Sequence, residues 1–185
     1  MFDIDIDVAD RTQVLQLIPH IKASLITGDH LTGIYVTSIP VDVMTNRSTL
    51  IYDEAESRGY LKIDILNLHI YKNIKDQDHY EKLLNKSPRW ELLKNKEICE
   101  QLIHIGKYHH IIRLYDIDSI EKLAAFLAIL RPAKKFLIGK DWEEIFKEVW
   151  EKPTDSSYFY KKSHAIAYAT AIIIQLNLIE ESIFS

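Results

Sequence analysis

The chain has 185 residues, a formal net charge of −4, 47% hydrophobic and 27% charged residues. This suits one compact globular domain or two small lobes, and it excludes a disordered chain and a uniformly basic nucleic-acid coat. The one cysteine, Cys99, cannot form an internal disulfide, no Cys/His spacing reads as a zinc site, and the longest apolar stretch, Ala165 to Ile174, is too short to span a bilayer; a cytoplasmic protein, with neither export nor membrane insertion, is the expectation.

The chain opens with Asp3, Asp5 and Asp7 alternating with Phe2, Ile4, Ile6 and Val8. Alternation at period two predicts a strand with one apolar and one acidic face, the carboxylates standing roughly 6 to 7 Å apart. Neighbouring charges at that spacing repel by about 2 to 3 kcal/mol at an effective dielectric near 20. A pair of hard divalent cations would relieve the repulsion, as in two-metal polymerases and nucleases. An edge strand whose charges discourage aggregation explains the same pattern.

After Asp10, a candidate cap, Val14, Leu15, Leu17, Ile18 and Ile21 make a helical face, with Pro19 as a kink or break. Residues 33–40, 48–52 and 60–65 read as strands, the last introduced by Gly59. From Leu66 onward nearly every segment has helical periodicity. Asp118 and Glu121 look like a capping box, Asp141 opens a helix carrying Trp142, Ile145, Phe146, Val149 and Trp150, and Ser163 opens the last one. The fold class expected is α+β, with a strand-containing lobe over 1–79 and a helical lobe over 80–185. The first lobe holds 12 acids against 7 Lys/Arg and the second 15 against 16, as would suit a metal site beside a neutral-to-basic binding lobe. Trp90, Trp142 and Trp150 are expected to anchor a core, and His109 and His110 to lie at the surface or half-buried.

Five segments then carry a resemblance. The run Phe2 to Arg11, with its alternating aspartates, resembles the Pro-Asp-x-Asp-x-Asp-Phe palm motif of bacterial family C replicative DNA polymerases, the polymerase III alpha subunits. In the same order, 30–36 (HLTGIYV) resembles the family's His-Ala-Ala-Gly-Val-Val element, and 62–66 (KIDIL) its Lys-x-Asp-x-Leu-Gly strand. The stretch 128–132 (AILRP) is similar to the fingers element Ala-Leu-x-Arg-Pro-Gly-Pro, and 162–169 (KSHAIAYA) to the fingers motif Lys-Ser-His-Ala-x-Ala-Tyr-Ala.

The resemblance implies a small polymerase-beta-like palm sheet followed by a helical fingers lobe. It implies that Asp3, Asp5 and Asp64 are catalytic carboxylates holding Mg²⁺ or Mn²⁺, with Asp7 supporting them from behind, and that Arg131, Lys162 and His164 bind the incoming nucleotide. The implied activity is two-metal nucleotidyl transfer on a DNA primer-template with dNTP in replication. Departures accompany the matches: Asn67 and Ala133 stand where the family has glycine, and Lys134 follows where it has proline. The family's amino-terminal phosphoesterase domain and Gly-Ser triphosphate cradle have no counterpart, so a reduced polymerase of viral origin that relies on another protein chain for its missing elements is expected. Two alternatives stay open: a non-catalytic polymerase remnant that binds and regulates replication proteins or DNA, and a two-metal phosphodiesterase. Arg131 is also placed to face the dipole of the preceding helix as a C-terminal cation.

Overall fold

The computed structural model describes residues 4–155 and 157–184. It is α+β: one six-stranded mixed sheet together with helices. The chain divides into two compact units, Met1–Ile74 and Lys75–Ser185.

The first unit holds the sheet. Its strands are β1 (Ile4–Val8), β2 (Ile21–Leu25), β3 (Gly28–Tyr35), β4 (Val41–Asp42), β5 (Arg47–Ile51) and β6 (Ile63–Asn67), in the order β1-β6-β3-β2-β5-β4. β1 is therefore an edge strand, paired among the described residues in parallel to β6 alone. Helix α1 (Arg11–Leu17) begins at Asp10, whose carboxylate accepts the Thr12 and Gln13 amides at 2.9 and 3.3 Å. It stops before Pro19, which cannot donate to a helical carbonyl. Ile21, expected on the helical face, consequently begins β2 and follows the period of a strand. Helix α2 (Tyr52–Ser57) starts where the sequence suggests the end of a strand. Ala55 on α2 closes a small core with Ala23, Tyr35, Ile39 and Leu50.

Within the second unit the helices are α3 (Gln77–Asn85), α4 (Lys96–Gln101), α5 (His109–Ile112), α6 (Ile120–Ile129), α7 (Trp142–Glu148) and α8 (Lys162–Phe184), with short 3₁₀ turns between several of them. Asp141 caps α7 by accepting the Glu144 amide at 2.9 Å. The cap of α6 is Ser119, whose Oγ accepts the Lys122 amide at 3.3 Å. Asp118 instead forms an i,i+4 pair with Lys122 at 2.8 Å, which corrects the capping box read from the sequence. Helix α8 begins at Lys162, one residue before Ser163.

The core of this unit is built around α6, buried from Leu123 through Ile129, packed on α8 through Ala165, Ala169, Ile172 and Leu176. Trp90, Trp142 and Trp150 pack against that core, partly buried. The apolar run read from the sequence is the middle of a longer helix: Lys162–Ile183 is long and apolar enough, by length and composition, to cross a membrane. Within its unit it packs against α6 and α3, and its polar Asn177 is fully buried. The Asn177 amide donates to the Leu83 and Lys86 carbonyls at 2.8 and 2.9 Å, closing the C-terminal end of α3.

Candidate carboxylate site

Parallel pairing of β1 with β6 places Asp5 directly beside Asp64 in the register. Paired residues point to the same face of a sheet, on strands about 4.8 Å apart, so the two carboxylates share one face. Asp7 lies two positions further along β1 on that face. Asp3 lies outside the described residues.

Asp64 is largely enclosed, and both of its oxygens are engaged. Thr32 Oγ1 donates to Oδ1 at 2.6 Å, and the Lys62 ammonium pairs with Oδ2. Lys62 immediately precedes β6, two positions before Asp64, and in extended chain residues two apart lie on one face. The Lys62 stem crosses β3 at Gly33, where a Cβ would come within 2.9 Å of Lys62 Cδ, 3.0 Å of His30 Nδ1 and 3.1 Å of Ala23 Cβ. Only glycine leaves that crossing open. The ammonium lies 5.9 Å from the centre of the Tyr52 ring, near enough for a cation–π attraction.

His30 completes the wall. Its Nδ1 accepts the Gly33 amide at 2.9 Å, which places the ring proton on Nε2. Burial lowers its pKa, the Lys62 charge lowers it further, and Asp64 opposes both. The ring is thus neutral at pH 7, and its approach to Asp64 Oδ1 at 3.7 Å is not an ion pair.

The carboxyl of Asp7 is raised above its usual range, first by burial and then by the Asp5 charge. Its Oδ1 is enclosed and has no hydrogen-bond partner among the described residues. Desolvation and like-charge repulsion both penalise the ionised form, and a cation would offset both. In donor chemistry, oxygens of Asp5, Asp7 and Asp64 on one face fit a hard divalent ion. In geometry the fit is partial: no group of three His, Cys, Asp or Glu side chains among the described residues converges on one point. The Lys62 ammonium stands on Asp64 where such an ion would bind.

The sequence-predicted nucleotide residues lie in the second unit. Arg131 follows α6, and its guanidinium carbon sits 3.9 Å from the centre of the Tyr160 ring. Its Nε and Nη2 are enclosed with no hydrogen-bond partner among the described residues. That pair forms the edge of a guanidinium that takes an oxyanion in a two-bond fork. Burial pushes the Tyr160 hydroxyl up to about 12, with Arg131 acting in the opposite direction. Lys162 is exposed on the first turn of α8, and His164 is half-buried on the same turn. The buried Lys134 caps a different helix, donating to the Glu148 carbonyl at the end of α7 at 2.6 Å. His109 Nε2 lies 3.0 Å from the Lys94 carbonyl, and His110 is exposed.

Three residues of the carboxylate site escaped the sequence reading: Thr32, His30 and Lys62 in their roles around Asp64. A signal for Lys62 was present, since a lysine two positions from an aspartate in a strand shares its face. No comparable signal marks Thr32 or His30, whose approach to Asp64 depends on the pairing of β3 with β6. No family model matches the chain, and no curated protein and no solved structure matches it.

Proposed function

We propose that the chain is a palm-and-fingers protein related to the family C replicative DNA polymerases, with two-metal nucleotidyl transfer as its chemistry. The observation that carries this reading is the side-by-side placement of Asp5 and Asp64 on adjacent parallel strands. Asp5 and Asp64, with Asp3, would hold Mg²⁺ or Mn²⁺, and Asp7 would support the row. Such ions supply Lewis acidity toward a primer 3′-hydroxyl and neutralise charge on a departing pyrophosphate. Arg131, Lys162 and His164 would take phosphate oxygens of the dNTP. A partner chain acting on the same DNA primer-template in the cytoplasm would supply the triphosphate cradle.

The test is primer extension with Mg²⁺ or Mn²⁺, alone and with candidate replication proteins, beside Asp64→Ala. Extension that depends on Asp64 supports the reading. Absence of turnover under every condition, with retained binding to a replication component, replaces it with the second reading.

That second reading is a non-catalytic remnant that binds and regulates replication proteins or DNA. Two observations favour it: both oxygens of Asp64 are taken up within the chain, and the Arg131 fork is enclosed against Tyr160.

A further inference from the structure

We propose that a pocket beside His104, in the second unit, binds a nucleoside monophosphate, its base lying on His104 and Tyr108 and its phosphate meeting Lys107. The site is separate from the carboxylate row and requires no metal ion.

The pocket has a volume of about 570 Å³, inside the range of about 300 to 1,000 Å³ usual for sites that enclose small organic ligands. Leu102, His104, Lys107 and Tyr108 line it from the segment between α4 and α5, and Glu100 lines it from α4. That segment is held firmly. Leu102 and Ile105 are buried, the Ile103 amide donates to Gln175 Oε1 at 3.0 Å, and Gln175 Nε2 donates to the Gln101 carbonyl at 2.8 Å, so α8 clamps the chain on both sides of Leu102.

Between the two buried anchors the chain turns over one residue. The Ile105 amide donates to the Ile103 carbonyl at 2.8 Å, spanning His104 alone, whose φ is 61°. A three-residue turn of positive φ is rare and strained, and glycine would adopt it at the least cost. Strain of this kind gathers at ligand clamps, where the surrounding structure enforces it. Here it presents an imidazole on the pocket wall.

The chemistry of the wall selects a flat anion. His104 is exposed, and its ring centre lies 4.3 Å from that of Tyr168. Partial burial lowers its pKa, and the Arg131 charge lowers it further. A neutral imidazole offers a face for stacking, one N–H donor and one nitrogen acceptor, which suit the face and edge of a base. The half-buried Tyr108 adds a second aromatic surface. The acid on the wall, Glu100, is paired with Lys96 at 3.7 Å. Arg131, whose charge reaches His104, has Nε and Nη2 enclosed with no hydrogen-bond partner among the described residues. The Arg131 and Lys107 charges therefore favour an anion, and a lysine acts on phosphate as a point charge.

The experiment is calorimetric titration of the full chain, in EDTA, with adenosine 5′-monophosphate, adenosine and inorganic phosphate. The parent is compared with His104→Gly and Lys107→Gln, with thermal melts alongside. The parent should bind the monophosphate saturably at one site, at least about tenfold more tightly than adenosine or phosphate, since one charge-assisted contact is worth about that factor. Lys107→Gln should weaken the monophosphate by about tenfold and leave adenosine unchanged. His104→Gly should weaken both ligands and melt no lower than the parent, because glycine relieves the positive φ. Absence of saturable binding by the parent overturns the proposal. So does binding by either variant equal to the parent's, or inorganic phosphate bound as tightly as the monophosphate. Lys107 is exposed, so Lys107→Gln decides the matter even if His104→Gly folds poorly. With EDTA excluding divalent ions, failure here leaves the carboxylate reading untouched, and failure of that reading leaves this one standing.

Discussion

His79 Nε2 donates to Glu181 Oε2 at 2.9 Å, joining α3 to α8 across 102 positions of the chain. The donor role is fixed because His79 Nδ1 accepts the Lys75 amide at 3.1 Å. Lys82 Nζ reaches the other oxygen of Glu181 at 2.9 Å. Hydrogen bonds from Lys82 and then His79 hold the Glu181 carboxyl down at about 2, against an ordinary value of 4.5.

A carboxyl depressed by folding contributes stability that is complete above its unfolded pKa and is lost as pH falls through the folded one. Glu181→Gln should therefore cost on the order of 1 kcal/mol at pH 6, and the gap between variant and parent should close between pH 4.5 and about 2. Urea midpoints across that range check this. A gap of constant size down to pH 2 would show that packing, and not charge, links the helices here.

Asp7 behaves in the opposite sense. Its folded pKa is raised above 3.8 by burial and by Asp5, so the fold favours the protonated form, and a penalty develops as pH rises through the folded value. Asp7→Asn should raise the melting temperature at pH 7 and give no advantage at pH 3. Adding Mn²⁺ should narrow the pH 7 difference, since a bound cation removes the same penalty from the parent. Thermal melts at the two pH values, with and without Mn²⁺, decide the matter.

Asn177→Ala removes two hydrogen bonds from a fully buried position and leaves the Leu83 and Lys86 carbonyls unpaired. The cost should be about 1 to 3 kcal/mol, or roughly 3 to 10 °C in melting temperature for a chain of this length. Asn177→Leu should not recover it, because the carbonyls at the end of α3 would still lack donors. Full recovery in the leucine variant would refute the capping role.

Gly33→Ala inserts a Cβ within 2.9 Å of the Lys62 stem. Overpacking of this kind costs about 1 to 3 kcal/mol. Much of the cost should disappear in a Lys62→Ala background, where the stem is gone, giving a coupling of about 0.5 kcal/mol or more in a double-mutant cycle. Additive effects would mean that His30 and Ala23 set the glycine requirement.

Local signals in the sequence were the ones the fold followed most closely. Asp10 and Asp141 cap the helices they precede, because a short carboxylate before a helical stretch satisfies amides that have no other partner. Pro19 ends α1, but the apolar residue beyond it belongs to a strand, since one apolar position fits either period. Ser119, and not Asp118, stands at the N-cap position of α6, because the helix starts one residue later than the capping-box spacing implied. For the site, alternation put Asp5 and Asp7 on one face, while the pairing of Lys62 with Asp64, two positions away, went unread. The engagement of Asp64 by Thr32 and the enclosure of Arg131 against Tyr160 come from strand pairing and loop packing, which no periodicity encodes.

The placement of β1 at the sheet's edge sets an order of events in synthesis. Its only partner among the described residues is β6, so β1, once made, waits without a ladder until Ile63–Asn67 has been made. Through that interval it exposes Ile4 and Ile6, which remain 37% and 42% exposed even in the finished fold. An uncharged strand of this kind would pair with neighbouring chains. The alternating aspartates keep it apart, so the repulsion that burdens the finished sheet is also what brings the nascent chain to it unaggregated. The same single-sided attachment should make the amides of Ile4–Val8 exchange with solvent earlier than those of the inner strands β6, β3, β2 and β5, and a cation bridging Asp5 to Asp64 should slow them.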